Sequence, residues 1–221
     1  MKSSRGPAIE HHGGLIFCGQ ILLVILAPFF DEGERHTPAS MFVAAIAVSA
    51  VTVLLLGHRR SATILAVVCG LAVTAIVGVG QRFEVRLPGM LVLAIAYAYA
   101  ASLSVRHAFA TDVVAKQRIL CGAAGYVMIG FIFAVLHTLL GLWKDGAYVL
   151  PEVEAGRPTR WIDYLWLSFS TLTTAGFGDL MPVGQWANML CALEAIAGIL
   201  FPATLIARIA SLPTASTVGR E

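Results

Sequence analysis

Long apolar stretches, separated by short charged clusters, constrain this chain more than any other feature of its sequence. Of its 221 residues, 58% are hydrophobic and 13% are charged, whereas a soluble domain carries about a quarter charged residues. A helix of about 20 apolar residues crosses the hydrocarbon core of a bilayer. Backbone groups that are not hydrogen-bonded are costly in lipid, so a spanning segment has to pair its own backbone groups, as a helix does. The sequence therefore predicts an all-α membrane protein.

Six of these stretches predict six transmembrane helices per subunit. They cover approximately residues 14–30, 38–57, 61–80, 87–105, 119–142 and 185–212. Between the last two lies the apolar segment 161–174, which is too short to span and predicts a re-entrant pore helix. The expected domains are a four-helix membrane domain with a cytoplasmic tail and an interfacial linker (1–118), a pore domain (119–212) and a short cytoplasmic tail (213–221).

The distribution of charge predicts how the chain is oriented. With the N-terminus inside, nine basic residues are cytoplasmic and six are outside, as the positive-inside rule prefers. Both termini are therefore expected in the cytoplasm, and the compact chain with short tails indicates a bacterial inner membrane. Residues 106–118, with Phe109, Val113 and Val114 among charges, predict a short interfacial helix between the fourth and fifth spans.

The segment after the pore helix reads Ala175-Gly176-Phe177-Gly178-Asp179. Two glycines one residue apart allow backbone angles that other residues avoid, so successive carbonyl groups can point in one direction. Rings of such carbonyls replace the hydration shell of an ion. The segment therefore predicts a selectivity filter, of which this chain supplies a single strand.

Together with Thr174, this segment resembles the Thr-Val-Gly-Tyr-Gly-Asp signature of the potassium channel superfamily, and Thr173 and Pro182 also fit its pattern. The resemblance implies a homotetramer whose filter, residues 174–178, conducts dehydrated K⁺ passively. It implies K⁺ coordination by the carbonyls of Thr174, Ala175, Gly176 and Phe177, with the Thr174 hydroxyl. The likeness covers about 119–212, whereas residues 1–118 match only in arrangement.

Two departures from the signature concern selectivity. Ala175 stands where valine is usual, and Phe177 stands where tyrosine is usual. Neither change removes a carbonyl, so K⁺ selectivity is expected to survive. The lost hydroxyl and the smaller alanine predict a softer filter, and a weakly selective Na⁺/K⁺ channel remains the alternative.

Side chains around the filter are candidates for its support: Thr173, Asp179, Ser170, Trp166 and Glu194. Ser170 either reaches toward Asp179 through water or is satisfied within its own helix. Glu194 is the only acidic residue inside a predicted span, where a charge is expensive. It is expected to hydrogen-bond a serine or threonine of the pore helix, with a cation site near the cavity as the alternative and proton sensing as a further hypothesis. His137 is expected to be a hydrogen-bonded core histidine.

Two features of the sequence bear on gating: the charge of the fourth span and the glycine and proline of the sixth. The fourth span contains no lysine or arginine, whereas each charge of a voltage sensor supplies about 2.3 kcal/mol per 100 mV. Voltage gating by that helix is therefore not expected. In the sixth span, Gly198, Pro202 and Ala203 resemble the hinge and close-packing positions of potassium channels. Either this hinge or the filter is expected to be the gate, and the stimulus is left open.

Other functions find little support in the sequence. It contains no nucleophile–histidine arrangement, no HExxH motif, no phosphate-binding glycine loop and no metal cluster, so the chain is not expected to be an enzyme. No basic patch points to nucleic acid. The expected partners are the other subunits, membrane lipids and the permeating K⁺, with no cofactor.

Overall fold

The computed structural model describes residues 12–30, 39–56, 59–78, 83–110, 114–152 and 156–211. Within these ranges the chain is almost entirely helical, as predicted. The helices are α1 (His12–Leu26), α2 (Ala39–Leu55), α3 (Arg59–Gly78), α4 (Phe83–Phe109), α5 (Ala115–Trp143), α6 (Trp161–Leu172) and α7 (Gln185–Ala210), and a short 3-10 turn, Ala27–Phe30, continues α1. Strands β1 (Tyr148–Val149) and β2 (Met181–Pro182) pair antiparallel, with Tyr148 opposite Pro182.

Three helices of the described chain are long and apolar enough to cross a membrane: Pro88–Phe109, Ala115–Trp143 and Gln185–Ala210. The apolar helical stretch Gly13–Phe29 is shorter. With 29 residues, α5 is about 43 Å long at 1.5 Å per residue, which exceeds the hydrocarbon core of about 30 Å. The chain is thus an integral membrane protein, and the full set of six spans stays a prediction.

The front helices pack on the pore helices of their own chain. Only residues 110–114 separate α4 from α5, and five residues reach at most about 18 Å. Helix α4 therefore returns alongside α5, and its buried face carries small side chains that allow a close approach, among them Ala94, Ala100 and Ala101. Helix α1 also packs against α5.

The prediction of a separate interfacial helix over 106–118 is wrong. Helix α4 continues to Phe109 and α5 begins at Ala115, so the segment is divided between two long helices. The polar side chains of Gln117 and Arg118 are 8% and 5% exposed. Helix α1 covers Gln117 so closely that a Cβ on Gly13 would lie 3.0 Å from its amide. Residues 111–113 and both predicted tails, 1–11 and 212–221, lie outside the described residues.

Candidate functional site: the filter and its supports

The first turn of the pore helix α6 contains a carboxylate, that of Asp163, with two hydrogen-bonding partners. Asp163 accepts the backbone N–H of Arg160 at 2.7 Å and both guanidinium nitrogens of Arg157 at 2.7 and 3.0 Å. A negative group near a helix N-terminus is stabilised by the helix dipole. The opposite, partially negative end of α6 is Leu172, directly before the filter, where it favours a cation.

The filter strand turns its N–H groups toward the pore helix. Ala175 and Gly176 both donate to the Ser170 carbonyl, at 2.8 and 3.1 Å, and Thr174 donates to Thr171 at 2.9 Å. In a trans peptide, each N–H points away from the carbonyl of the preceding residue, and the described chain has no cis peptide. The carbonyls of Thr173, Thr174 and Ala175 therefore point away from α6, to the side left open in a single chain.

Left-handed backbone angles alternate along the strand. The φ angles are 59° at Thr174, 61° at Gly176 and 81° at Gly178. Glycine adopts such angles without steric cost, whereas a threonine there stores strain of about 1–3 kcal/mol. A Cβ on Gly176 or Gly178 would meet no atom within 4 Å. Backbone angle, and not lack of space within one chain, is therefore the reason for the two glycines.

An aromatic stack and one hydrogen bond hold the outer end of the filter. Phe177 stacks on Trp166 of the pore helix, with ring centroids 5.1 Å apart and an interplanar angle of 20°. The indole N–H of Trp166 donates to Asp179 Oδ2 at 2.5 Å. Stacking thus takes the place of the hydroxyl that Phe177 lacks.

Ser170 supports the filter through its backbone. Its hydroxyl donates to the Leu167 carbonyl at 2.9 Å, as expected of a serine satisfied within its own helix, and Asp179 is bonded to Trp166. The Thr173 hydroxyl similarly donates to Phe169 of the same helix at 2.7 Å. The two hydroxyls therefore secure the last turns of α6, from which the filter departs.

Glu194 of α7 lies at the centre of a buried polar cluster, fully enclosed within the chain. One carboxyl oxygen contacts the Ser168 hydroxyl of α6, as expected for a supporting role. The other lies 2.9 Å from His137 Nε2 of α5. His137 Nδ1 lies 2.7 Å from the hydroxyl of Tyr148 in β1. The cluster joins the outer helix, the pore helix and the inner helix.

Tyr126 of α5 makes a second contact that sequence reasoning missed. Its hydroxyl donates to the carbonyl of Leu172, the last residue of the pore helix, at 2.9 Å. Its ring stacks on Phe201 of α7, with centroids 6.0 Å apart. In the sequence, a tyrosine within an apolar span is a weak signal for a hydrogen bond between helices, because its ring can also pack without using the hydroxyl.

The three predicted hinge residues differ in their surroundings. A Cβ on Gly198 would lie 2.0 Å from the Leu172 backbone oxygen, so close packing alone requires glycine there. Pro202 lies inside α7 and Ala203 is exposed in the single chain. Close packing is therefore the alternative that the contacts support, and a hinge stays a prediction.

Carbonyl oxygens, and not a side-chain cluster, are the predicted cation ligands of this site. In the part of the chain that the structure describes, no group of three or more His, Cys, Asp or Glu side chains is placed to hold a metal ion. The predicted K⁺ ligands are instead backbone oxygens, and the hydrogen bonds of the filter strand fix the direction of two of them, the carbonyls of Thr174 and Ala175.

Comparison with known proteins identifies the region that contains this site. Residues 136–215 match the family model described as "Ion channel". The chain is 37% identical over 94 residues to the inward rectifier potassium channel Kirbac3.1 of Paramagnetospirillum magnetotacticum, covering 40% of this chain and 32% of the relative. It is 35% identical over 79 residues to the intermediate conductance calcium-activated potassium channel protein 4 of Rattus norvegicus, covering 34% of this chain and 19% of the relative.

These matches are confined to part of each protein. The chain spans about a third or less of the length of either relative, and no solved structure gave a significant match. Both relatives are potassium channels by name, and the matching family model begins within α5 and includes the pore helix, the filter and α7. The pore region of this chain is therefore similar to an ion-channel family model and to part of two proteins named as potassium channels, the superfamily that its filter residues predict.

Proposed function

We propose that this ion channel is a homotetramer that conducts dehydrated K⁺ passively, with the carbonyls of Thr174, Ala175, Gly176 and Phe177 as the ion ligands. The observation that carries the proposal is the direction of the filter peptides. Ala175 and Gly176 donate to Ser170, which turns the preceding carbonyls away from the pore helix. In a fourfold arrangement these carbonyls form rings around one axis.

The exposed face of α7 supports assembly from several copies. Large apolar side chains along this helix are exposed in the single chain, including Leu193, Ile196, Ile199, Leu200 and Ile206. Helix α6 packs against α7, and residues 173–179 of the filter region are likewise exposed in the single chain. One chain supplies one filter strand, so a closed ring with fourfold symmetry both covers this face and completes the pore.

The relatives' names support potassium as the ion, but their other properties are not carried over. One is named for inward rectification and the other for calcium activation. The chain spans too little of either relative to share a regulatory mechanism on that ground. We propose gating without a charged fourth helix, since no lysine or arginine lies in α4 between Arg86 and Arg106.

The proposed setting is a lipid bilayer, with both termini on the cytoplasmic side of a bacterial inner membrane. This follows from the apolar helices and from the excess of basic residues on that side.

A weakly selective Na⁺/K⁺ channel is the second candidate. The observation that favours it is the support of Phe177, which is a ring stack on Trp166 and not a hydrogen bond. A stack restrains sliding less than a directional bond does, so the ring of carbonyls has more freedom to contract around the smaller Na⁺.

The reversal potential under bi-ionic conditions tests the proposal. Purified protein is placed in a planar bilayer with KCl on one side and NaCl on the other. A reversal potential far from zero, with the sign for K⁺, supports the selective filter, and a value near zero with clear current supports the second candidate. Gly176→Ala is the control, because its φ of 61° strains any other residue and should abolish the current.

A further inference from the structure

The cluster around Glu194 is a chain of four polar contacts with a definite order. It runs from the Tyr148 hydroxyl to His137 Nδ1 at 2.7 Å and from His137 Nε2 to Glu194 Oε2 at 2.9 Å. It continues from Glu194 Oε1 to Ser168 Oγ and ends at the Gly130 carbonyl, 2.7 Å from Ser168 Oγ. Each contact needs one proton to be a hydrogen bond.

The end of this chain determines where the protons are. A carbonyl oxygen cannot donate, so the single proton of Ser168 must point at Gly130. The proton between Ser168 and Glu194 must then come from Glu194, which is a carboxylic acid. Its other oxygen accepts the Nε2 proton of His137, and the Nδ1 atom accepts the proton of Tyr148. With these assignments all four contacts are satisfied and every group is neutral.

The ionised alternative leaves one contact unsatisfied. If His137 carried both ring protons and Glu194 were a carboxylate, Ser168 would still have one proton for two acceptors. Either the Gly130 contact or the Glu194 contact would then join two oxygens without a proton. A buried ion pair also needs well-satisfied partners to offset its desolvation, and His137 and Glu194 are both fully buried.

We propose that Glu194 is a neutral acid that positions the pore helix between the outer and inner helices, and that loss of its proton at alkaline pH releases this helix. This inference deepens the proposed channel function and, for its effect on current, rests on it. When Glu194 loses its proton, Ser168 can donate its single hydroxyl proton either to the carboxylate or to the Gly130 carbonyl, but not to both. Either choice breaks a link between α6 and a neighbouring helix, two turns before the filter.

Within the described ranges, no lysine or arginine contacts Glu194, so His137 is the one neighbour whose protonation could favour the ionised form. The titratable groups near it are His137 and Tyr126 on α5, Tyr148 on β1, and Cys191 on α7. Tyr164 of α6 packs edge-on against Tyr148, with ring centroids 5.2 Å apart. Burial raises the pKa of Tyr148, which keeps its hydroxyl a donor to His137. All these neighbours are neutral when the chain of contacts is complete.

Infrared difference spectroscopy tests the protonation state without any current. Wild-type protein in detergent is compared with Glu194→Gln, whose amide donates to Ser168 and accepts from His137 in the same order. We expect wild type to show the C=O band of a protonated carboxylic acid at neutral pH, absent from Glu194→Gln and lost at alkaline pH. Asp163→Asn is the matched control and should remove no acid band, because Asp163 is paired with Arg157.

A second variant tests the order of the contacts. Ser168→Ala removes the acceptor of the Glu194 proton, so we expect the acid band to move to higher frequency and not to vanish. If wild type and Glu194→Gln show the same acid bands at neutral pH, Glu194 is ionised and the proposal is overturned. This outcome is independent of whether the protein conducts K⁺.

The effect on conduction is measured in bilayers. We expect the wild-type current to fall at least tenfold over the pH range in which the acid band disappears, and the Glu194→Gln current to change less than twofold. An unchanged wild-type current across that range would overturn the release of the pore helix, while the spectroscopic assignment would stand. Absence of current at every pH from protein that shows the band would count against the proposed channel function instead.

Discussion

The front helices α1–α4 and the pore helices α5–α7 differ in their described side-chain hydrogen bonds. In the front helices, Thr52, Ser102 and His107 hydrogen-bond carbonyls three or four residues earlier in their own helix. Ser104 of α4 reaches α5 through a weak contact of its hydroxyl with Met128 Sδ at 3.9 Å. In the pore region, polar contacts join different helices. They link Gly130 to Ser168, Tyr126 to Leu172 and His137 to Glu194, across 38, 46 and 57 residues of sequence.

This difference follows from what each region has to position. Small side chains allow helices to approach each other closely but leave each helix free to shift along its axis. Hydrogen bonds between helices restrict both distance and direction. A ring of carbonyls that replaces the hydration shell of an ion needs such restriction, whereas a front domain without gating charge does not. The following four changes test this contrast, from the largest expected effect to the smallest.

Gly198→Ala is expected to have the largest effect. Its Cβ would lie 2.0 Å from the Leu172 backbone oxygen, and the end of the pore helix cannot move without moving the filter. Overpacking costs about 1–3 kcal/mol per site and more where backbone must shift, so we expect loss of current and a lower thermal stability of the tetramer. Both are measured on purified protein, by bilayer recording and by heating in detergent.

Gly70→Ala in α3 is the matched control for this change. A Cβ there meets no atom within 4 Å, and alanine is about 1 kcal/mol more favourable than glycine inside a helix. We expect unchanged current and equal or higher stability. Similar losses in the two variants would contradict the contrast between the regions.

Trp166→Phe is expected to have the second largest effect. It removes the N–H that donates to Asp179 at 2.5 Å and keeps a ring to stack on Phe177. The outer filter then loses its directional support, so we expect current to decay several-fold faster after opening and the bi-ionic reversal potential to move toward zero. Trp143→Phe, at the exposed end of α5, should leave both quantities unchanged. Unaltered decay in Trp166→Phe would show that stacking alone suffices.

Tyr126→Phe is expected to cause a moderate loss of stability. It removes one hydrogen bond to the Leu172 carbonyl and retains the ring that stacks on Phe201. One such bond contributes about 1 kcal/mol, so we expect a decrease of a few degrees in the thermal midpoint. Ser102→Ala is the front-region control, since its hydroxyl bonds only its own helix. An equal decrease in the control would remove the distinction between bonds within and between helices.

Gly125→Ala is expected to have the smallest effect, although it lies where the two regions meet. Its Cβ would be 3.2 Å from Val105 Cγ2 of α4, and a side chain can move by a few tenths of an ångström. We expect at most about 1 kcal/mol of destabilisation and a normal reversal potential, measured by heating and by bilayer recording. Loss of current would show that the front contact is as restrictive as the pore contacts.

Much of the fold was predictable because its signals are local. Length and apolarity indicated the helices, and the short helix predicted within residues 161–174 is found over Trp161–Leu172, while its re-entrant position in the membrane stays a prediction. The spacing of Gly176 and Gly178 predicted the unusual backbone of the filter, which the positive φ angles show. Helix ends were less accurate, because α4 and α5 extend past their apolar cores into polar residues, of which Gln117 and Arg118 at the start of α5 are buried.

The partners of the filter supports were not predictable in the same way. His137 and Glu194 stood out as polar residues in apolar spans, and this shared feature was the sequence signal for pairing them. Tyr126 and Tyr148 carried no such signal. Apolar periodicity is weak in helices that are hydrophobic on all sides, so it does not specify how one helix is rotated about its axis against another.

By itself, the amino-acid sequence determined that this chain enters a membrane as helices and carries one filter strand, because helix length, apolarity and glycine backbone freedom are properties of local segments. Only the tertiary structure decided which side chains meet behind that strand. The Tyr148–His137–Glu194–Ser168 contacts and the Tyr126–Leu172 bond depend on the relative rotation and height of packed helices. That placement is set by the packing of several helices at once, and no single segment encodes it.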